Sequence, residues 1–145
     1  MNIYFSCSIT GGRAEEATYQ AIVKQLEAAG HTVPTAHLSS PDVTLLEDVV
    51  DPVEIFDRDM AWIRECDAVV AEVSSPSHGV GYEIAYALSL GKPVLCCHKN
   101  GKRVSKIITG NTTPGLTVIR YDTDTEAVNA VHGFTRTLEE KQNHR

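Results

Sequence analysis

The stretch Asp67-Ala-Val-Val-Ala-Glu-Val73 constrains this chain more than any other feature. Its apolar middle is continuous rather than alternating, as in a strand covered by protein on both faces, and such strands belong to parallel sheets flanked by helices. Ile3 to Cys7 and Pro93 to Cys97 have the same character. Between these runs, Ala17, Ile22, Val23 and Leu26 recur at helical spacing up to Gly30. Ile55, Met60, Trp62 and Ile63 mark a helix from Pro52 to about Cys66, and Tyr82 to Leu90 reads as a helix stopped by Gly91. A weak strand around Thr32 and Val33 and another from Leu116 to Tyr121 bring the strands to five. The closing helix carries Ala127, Val128, Val131, Phe134 and Leu138 on one side. The pattern predicts an α/β fold: one domain over residues 1–145, a parallel five-stranded sheet with helices on both faces in flavodoxin-like or Rossmann-like order. Ala36 to Pro52, rich in Ser, Asp and Pro, reads as a long loop and candidate lid, and Glu139 to Arg145 as a frayed polar tail.

Charge and cysteine usage narrow the function classes. Thirteen basic against 19 acidic residues give a net charge of -6, with no basic stripe interleaved with aromatics, which argues against a nucleic-acid polymer as partner. No apolar run approaches the roughly 20 residues of a membrane span, and no charged segment precedes Ile3 as in a signal peptide. The expected location is the cytoplasm, or also the nucleus in a eukaryote. Cys7, Cys66, Cys96 and Cys97 show no CxxC spacing, so buried reduced thiols are expected, with no metal and no cofactor.

In open parallel sheets ligands bind beyond the carboxyl ends of the strands. That rule selects the loops Ser8 to Arg13, Ser74 to Gly81 and His98 to Ser105, with Asp122 to Thr125 at the margin. The most informative is Ser75-Pro76-Ser77-His78-Gly79-Val80-Gly81-Tyr82-Glu83, in which two hydroxyls and two glycines precede a helix. Glycines admit an anion close to backbone N–H groups and the helix terminus adds positive potential, so the segment suits a phosphate. It lacks the lysine of a Walker loop and the glycine spacing of a dinucleotide fingerprint. Glu83, one turn into the helix, is expected to be ionised by the same dipole and able to act as a nucleophile. A glutamate there is also favourable with no function at all.

Asp59 and Trp62, three apart, share a helix face, while Asp57 and Arg58 are expected to point elsewhere. The pair suits a ligand site, or equally a core tryptophan beside a solvated acid. Tyr4 lies inside the first strand, where a core aromatic is the alternative reading. The loop Ser8-Ile9-Thr10-Gly11-Gly12-Arg13 either wraps a nucleotide or only turns the chain. His37, His78 and His98 fall in loops near the same edge without triad partners.

Together Ile3 to Arg13, Asp59-Met60-Ala61-Trp62, Ala68 to Val73, Ser77 to Glu83 and Val104-Ser105, in this order between Ile3 and Tyr121, resemble the 2'-deoxynucleoside 5'-phosphate N-hydrolases of the nucleoside 2-deoxyribosyltransferase superfamily. The resemblance implies cleavage of a deoxynucleoside monophosphate to free base and 2-deoxyribose 5-phosphate. Glu83 matches the nucleophile that forms a covalent deoxyribosyl-enzyme, Asp59 the acid that helps the base depart, and Tyr4 the residue that positions the nucleophile. Ser77 and Gly79 match phosphate ligands. Ser105 matches a serine that reaches the phosphate of the neighbouring subunit, which implies a homodimer. Ser8, Ile9, Gly11, Arg13, His37 and Trp62 complete the expected substrate contacts. The chain departs from its relatives at Cys7, where they carry glycine, and at Thr10, where they carry arginine, with Arg13 or Lys106 the candidate for the missing charge. The competing readings are a deoxyribosyltransferase, in which a second base replaces water, a nucleotide-binding module without catalysis, and a phosphate-binding flavodoxin-type domain.

Overall fold

A computed structural model describes residues 1–144. In chain order it comprises β1 (Ile3–Ser6), α1 (Glu16–Ala28), a 3-10 turn (Ala36–Ser39), α2 (Val43–Asp48), α3 (Pro52–Glu65), β2 (Ala68–Glu72), α4 (His78–Ser89), β3 (Val94–Lys99), α5 (Lys106–Thr109), β4 (Leu116–Tyr121) and α6 (Asp124–Asn143). The strands pair in parallel in the order β1-β2-β3-β4. Ile3, Phe5, Val70, Leu95 and Cys97 meet α1 and α6 on one face. Tyr4, Val69, Ala71, Val94 and Cys96 meet α3 and α4 on the other. Adjacent Cys96 and Cys97 therefore enter opposite cores, as strand alternation requires, and all four cysteines are buried and unbridged.

The fold class is as expected, but among the described residues the sheet has four strands rather than five. At the expected extra strand only Thr32 forms a bridge, to Asn2, with Ile3 N–H donating to Thr32 O at 2.8 Å. Pro34 follows at once and brings no N–H to a ladder. The next donor of β1, Phe5 N–H, is taken instead by the Thr35 side chain at 2.9 Å. One hydroxyl thus does for the sheet edge what a fifth strand would have done.

Four boundaries also differ. Ala36 to Pro52 is not an uncovered loop: it holds the 3-10 turn and α2, and Leu38 and Val43 pack into the core. Helix α4 starts at His78, four residues before the expected Tyr82. In α1 the inward residues are Thr18 and Tyr19 rather than Ala17. Helix α6 continues through Asn143 where a tail from Glu139 is expected to fray; Arg136 pairs with Glu140 one turn on, and His144 Nδ1 meets Glu140 O at 2.6 Å. Among the described residues no helix is long and apolar enough to cross a membrane.

Two features of this frame position the site. Tyr4 and Ser6 are two apart on β1 and so point to the same sheet face, towards α3 and α4. On the other face, fully buried Glu72 accepts from Tyr121 Oη at 2.9 Å and from the Ser74 N–H, which anchors the loop that leads into α4.

Candidate active site

Ser77 caps α4, its Oγ accepting the Val80 N–H at 3.3 Å. Gly79 and Gly81 consequently lie in the first turn of the helix, not before it, and Glu83 sits about a turn and a half in. A Cβ built on Gly79 would stand 3.9 Å from both Ser77 Oγ and Glu83 Oε1, so hydroxyl and carboxylate border the same space over this residue. On its other side the Glu83 carboxyl faces β1, and Ser6 Oγ donates to Oε2 at 2.7 Å.

That environment overturns the expected charge of Glu83. Burial pushes its carboxyl up to about 7, and the nearby Asp59 charge pushes the same way. The Ser6 and Tyr4 hydroxyls and the Arg58 guanidinium oppose the rise without cancelling it. Six residues into a helix the terminal dipole has faded, and desolvation decides. Tyr4 is fully buried beside this carboxyl, its phenol raised far above its ordinary value by burial and then by the Glu83 and Asp59 charges. Its hydroxyl has no hydrogen-bond partner among the described residues.

Asp59 is buried, not solvated, and Arg58 does not point elsewhere. Arg58 Nε donates to Asp59 Oδ1 at 2.8 Å, its far nitrogen pairs with Glu47 Oε1 at 3.1 Å, and its guanidinium lies 4.8 Å over the Trp62 ring. Glu47 also meets His37 Nε2 at 2.8 Å, and His37 stands edge-on to Trp62 with ring centroids 6.1 Å apart. Burial raises the Asp59 carboxyl, and Arg58 pulls it back towards the charged form. The expected pair of Asp59 and Trp62 is thus one side of a five-residue cluster that fastens α2 to α3.

In the first loop, a Cβ on Gly11 would fall 1.9 Å from Pro76 O, so only glycine lets this loop lie on the loop before α4. Ser8 Oγ, buried and without a hydrogen-bond partner among the described residues, would be 3.0 Å from the same Cβ. Ile9 is half-buried against the α1 core. Arg13 is not free to supply charge to a ligand. It pairs with Glu16 at 3.0 Å and donates to the carbonyls of Ser8, Leu38 and Ser40 at 3.2, 2.8 and 3.0 Å, tying this loop to the 3-10 turn. Lys106 does border the open space. A cleft of about 1190 Å³ runs from Thr10, Gly11, Ser75, Ser77 and His78 across to Arg103, Ser105 and Lys106. Ser105 is exposed there and caps α5, its Oγ accepting the Ile107 N–H at 3.3 Å.

The structure therefore brings Tyr4, Asp59 and Glu83 together, with His37 and Trp62 beside them, and places Ser77, Gly11 and Ser105 around the adjoining cleft. Ser6, Glu47 and Arg58 belong to the same region without being expected there from the sequence, and Arg103, inside the selected loop His98 to Ser105, lines the cleft. A serine inside an apolar run reads as strand, and the partners Glu47 and Arg58 lie 11 residues apart across a segment with little periodicity. Among the described residues no group of three His, Cys, Asp or Glu side chains is placed to hold a metal ion.

Comparison with known proteins fits this arrangement. Residues 3–138 match the nucleoside 2-deoxyribosyltransferase family. A 5-hydroxymethyl-dUMP N-hydrolase of Danio rerio is 38% identical over 141 residues, covering 95% of this chain and 98% of the relative. Two solved structures share the fold at low identity. The solution structure of BlsM has a TM-score of 0.75 at 19% identity, covering 98% of this chain and 93% of its own. Clostridium botulinum CMP N-glycosidase, BcmB, has a TM-score of 0.66 at 20% identity, covering 90% of this chain and 99% of its own.

Proposed function

Because the chain belongs to the nucleoside 2-deoxyribosyltransferase family, we propose that it is an N-glycosidase that hydrolyses 2'-deoxynucleoside 5'-monophosphates to free base and 2-deoxyribose 5-phosphate. The observation that carries this reading is the space over Gly79, bordered by Glu83 Oε1 at one end and the helix-capping Ser77 hydroxyl at the other. A sugar phosphate has the same two ends, an electrophilic anomeric carbon and an anion.

In this reading the phosphate lies at the α4 N-terminus on Ser77 and Gly79, where backbone N–H groups and the dipole favour an anion. Exposed Arg103 and Lys106 across the cleft offset its charge, a part that Arg13, held by three carbonyls, does not take. Glu83 Oε1 attacks C1' while the N-glycosidic bond breaks with its electron pair leaving on the base, to which Asp59 gives a proton. Asp59 carboxylate then takes a proton from water, whose oxygen attacks C1' and frees Glu83. This is the double displacement of retaining glycosidases. Burial lifts both carboxyls: it keeps Asp59 protonated to higher pH than a solvated aspartate, and it makes the Glu83 carboxylate, once its proton has left, a more basic nucleophile. Tyr4, its hydroxyl facing Glu83 and favouring the charged carboxyl, orients the nucleophile. The base lies towards Trp62 and His37, near Ser8 and Ile9 of the first loop.

The working unit in this reading is a homodimer in which Ser105 reaches the neighbouring phosphate. Exposed Val53 and Phe56 on α3 and exposed Tyr82 on α4, with the two rings edge-on at 6.2 Å, supply an apolar surface for such a pairing.

The test is chromatographic. The protein and its Glu83→Ala variant are incubated with deoxy- and ribonucleoside monophosphates and with unphosphorylated deoxynucleosides. Base release from the deoxy monophosphates by the unaltered protein alone is expected. Release from unphosphorylated deoxynucleosides that rises with added acceptor base would make it a transferase, and no release at all would leave a binding module.

A further inference from the structure

We propose that Ser6 is the positioning residue that selects the attacking oxygen of Glu83, its hydroxyl holding Oε2 while Oε1 is left to face the anomeric carbon. This rests on Glu83 being the nucleophile. Ser6 Oγ lies 2.7 Å from Oε2, whereas Oε1 borders the space over Gly79 that Ser77 shares. A carboxylate on a flexible side chain can present either oxygen by rotation about its last torsion. A hydrogen bond to one of them removes that freedom before substrate arrives.

The placement follows from the sheet. Ser6 is the last residue of β1, pairs with Ala71 on β2 and is fully buried, so its rotamer is set by packing and solvent does not compete for its proton. A hydroxyl donating to a carboxylate is a charge-assisted bond, stronger than a neutral one. The other polar and charged groups facing Glu83 do not replace it. The Tyr4 hydroxyl on β1 also faces the carboxyl and favours its charged form, but among the described residues only Ser6 is in hydrogen-bond geometry with Oε2; the Cys7 thiol donates to the Leu38 carbonyl at 3.5 Å, Asp59 on α3 repels, and Arg58 on α3 is engaged by Asp59 and Glu47. Because the Ser6 bond favours the charged carboxyl, it also keeps more of the enzyme in its attacking form as pH falls.

Two variants and two readouts test this. In Ser6→Ala the acid limb of the kcat/KM profile for base release moves up by about one pH unit, a tenfold loss of ionised enzyme on that limb, the size expected for one charge-assisted bond. On the plateau kcat falls with KM nearly unchanged, because orientation of the nucleophile matters to the reacting complex and not to substrate capture. Ser6→Thr, which keeps the hydroxyl, restores the acid limb. The second readout, the titration of the Glu83 carboxyl carbon by NMR, is independent of activity and moves up in Ser6→Ala alongside the rate profile. Unchanged midpoints in Ser6→Ala, or a loss of kcat/KM carried only by a higher KM, overturn the proposal. If the unaltered protein releases no base, the functional reading has failed, and the NMR titration still decides whether Ser6 holds Oε2.

Discussion

Replacing Glu83 with glutamine should remove activity and yet make the protein more stable, by an amount that depends on pH. Burial raises this carboxyl from 4.5 to about 7 in the folded chain. The folded state therefore keeps its proton between those values while the unfolded state has lost it, so stability declines as pH rises through that window. At about 1.4 kcal/mol per pH unit the full cost at pH 8 is about 3 kcal/mol. Water at the half-buried carboxyl screens part of it, leaving about 2–3 kcal/mol. Glutamine keeps the shape and still accepts from Ser6, but carries no charge to desolvate. Urea denaturation at pH 8 should show Glu83→Gln more stable by that amount, and at pH 5 the gain should shrink to below about 1 kcal/mol. A gain of equal size at both pH values, or a variant less stable than the unaltered protein at pH 8, would mean that burial does not govern this group. Stability given up for a poised carboxylate is the trade expected at a catalytic site.

Arg58→Met deprives Asp59 and Glu47 of their shared cation. The Asp59 carboxyl should rise further and hold its proton to higher pH, moving the alkaline limb of the kcat/KM profile upward, while the urea midpoint falls by the equivalent of about 1–3 kcal/mol. Gly11→Ala places a methyl 1.9 Å from the Pro76 carbonyl. It should cost about 1–3 kcal/mol in the same experiment and raise KM for the nucleotide, because the loop that carries Ser8 must lift away from α4.

Much of the frame is legible in the sequence because burial is periodic. The continuous run at Asp67 to Val73, the stop at Gly91 and the strand Leu116 to Tyr121 all reflect which faces are covered. The absent fifth strand marks the limit of that signal, since Thr32 and Val33 have strand chemistry and only Pro34 and the Thr35 side chain decide against a ladder. In the site, the chemical character of Glu83, Asp59 and Ser77 is visible from residue type and place relative to a predicted helix. Their partners are not. The bond from Ser6 spans 77 residues and Glu47 reaches Arg58 across two helices, contacts with no local spacing to announce them. The same distance explains why Arg13 reads as a candidate phosphate ligand: nothing in the first loop shows that the carbonyls of Leu38 and Ser40 are waiting for its guanidinium.

Hydrolysis through a covalent deoxyribosyl intermediate on Glu83 leaves a stereochemical record in the product. The protein is incubated with a 2'-deoxynucleoside 5'-monophosphate in water containing methanol, and the anomeric configuration of the methyl 2-deoxyriboside 5-phosphate is read by proton NMR. Double displacement through Glu83 predicts the β-anomer, with the configuration of the nucleotide retained, and no such product from Glu83→Gln. Formation of the α-anomer would mean that solvent attacks C1' directly, and Glu83 would not be the nucleophile.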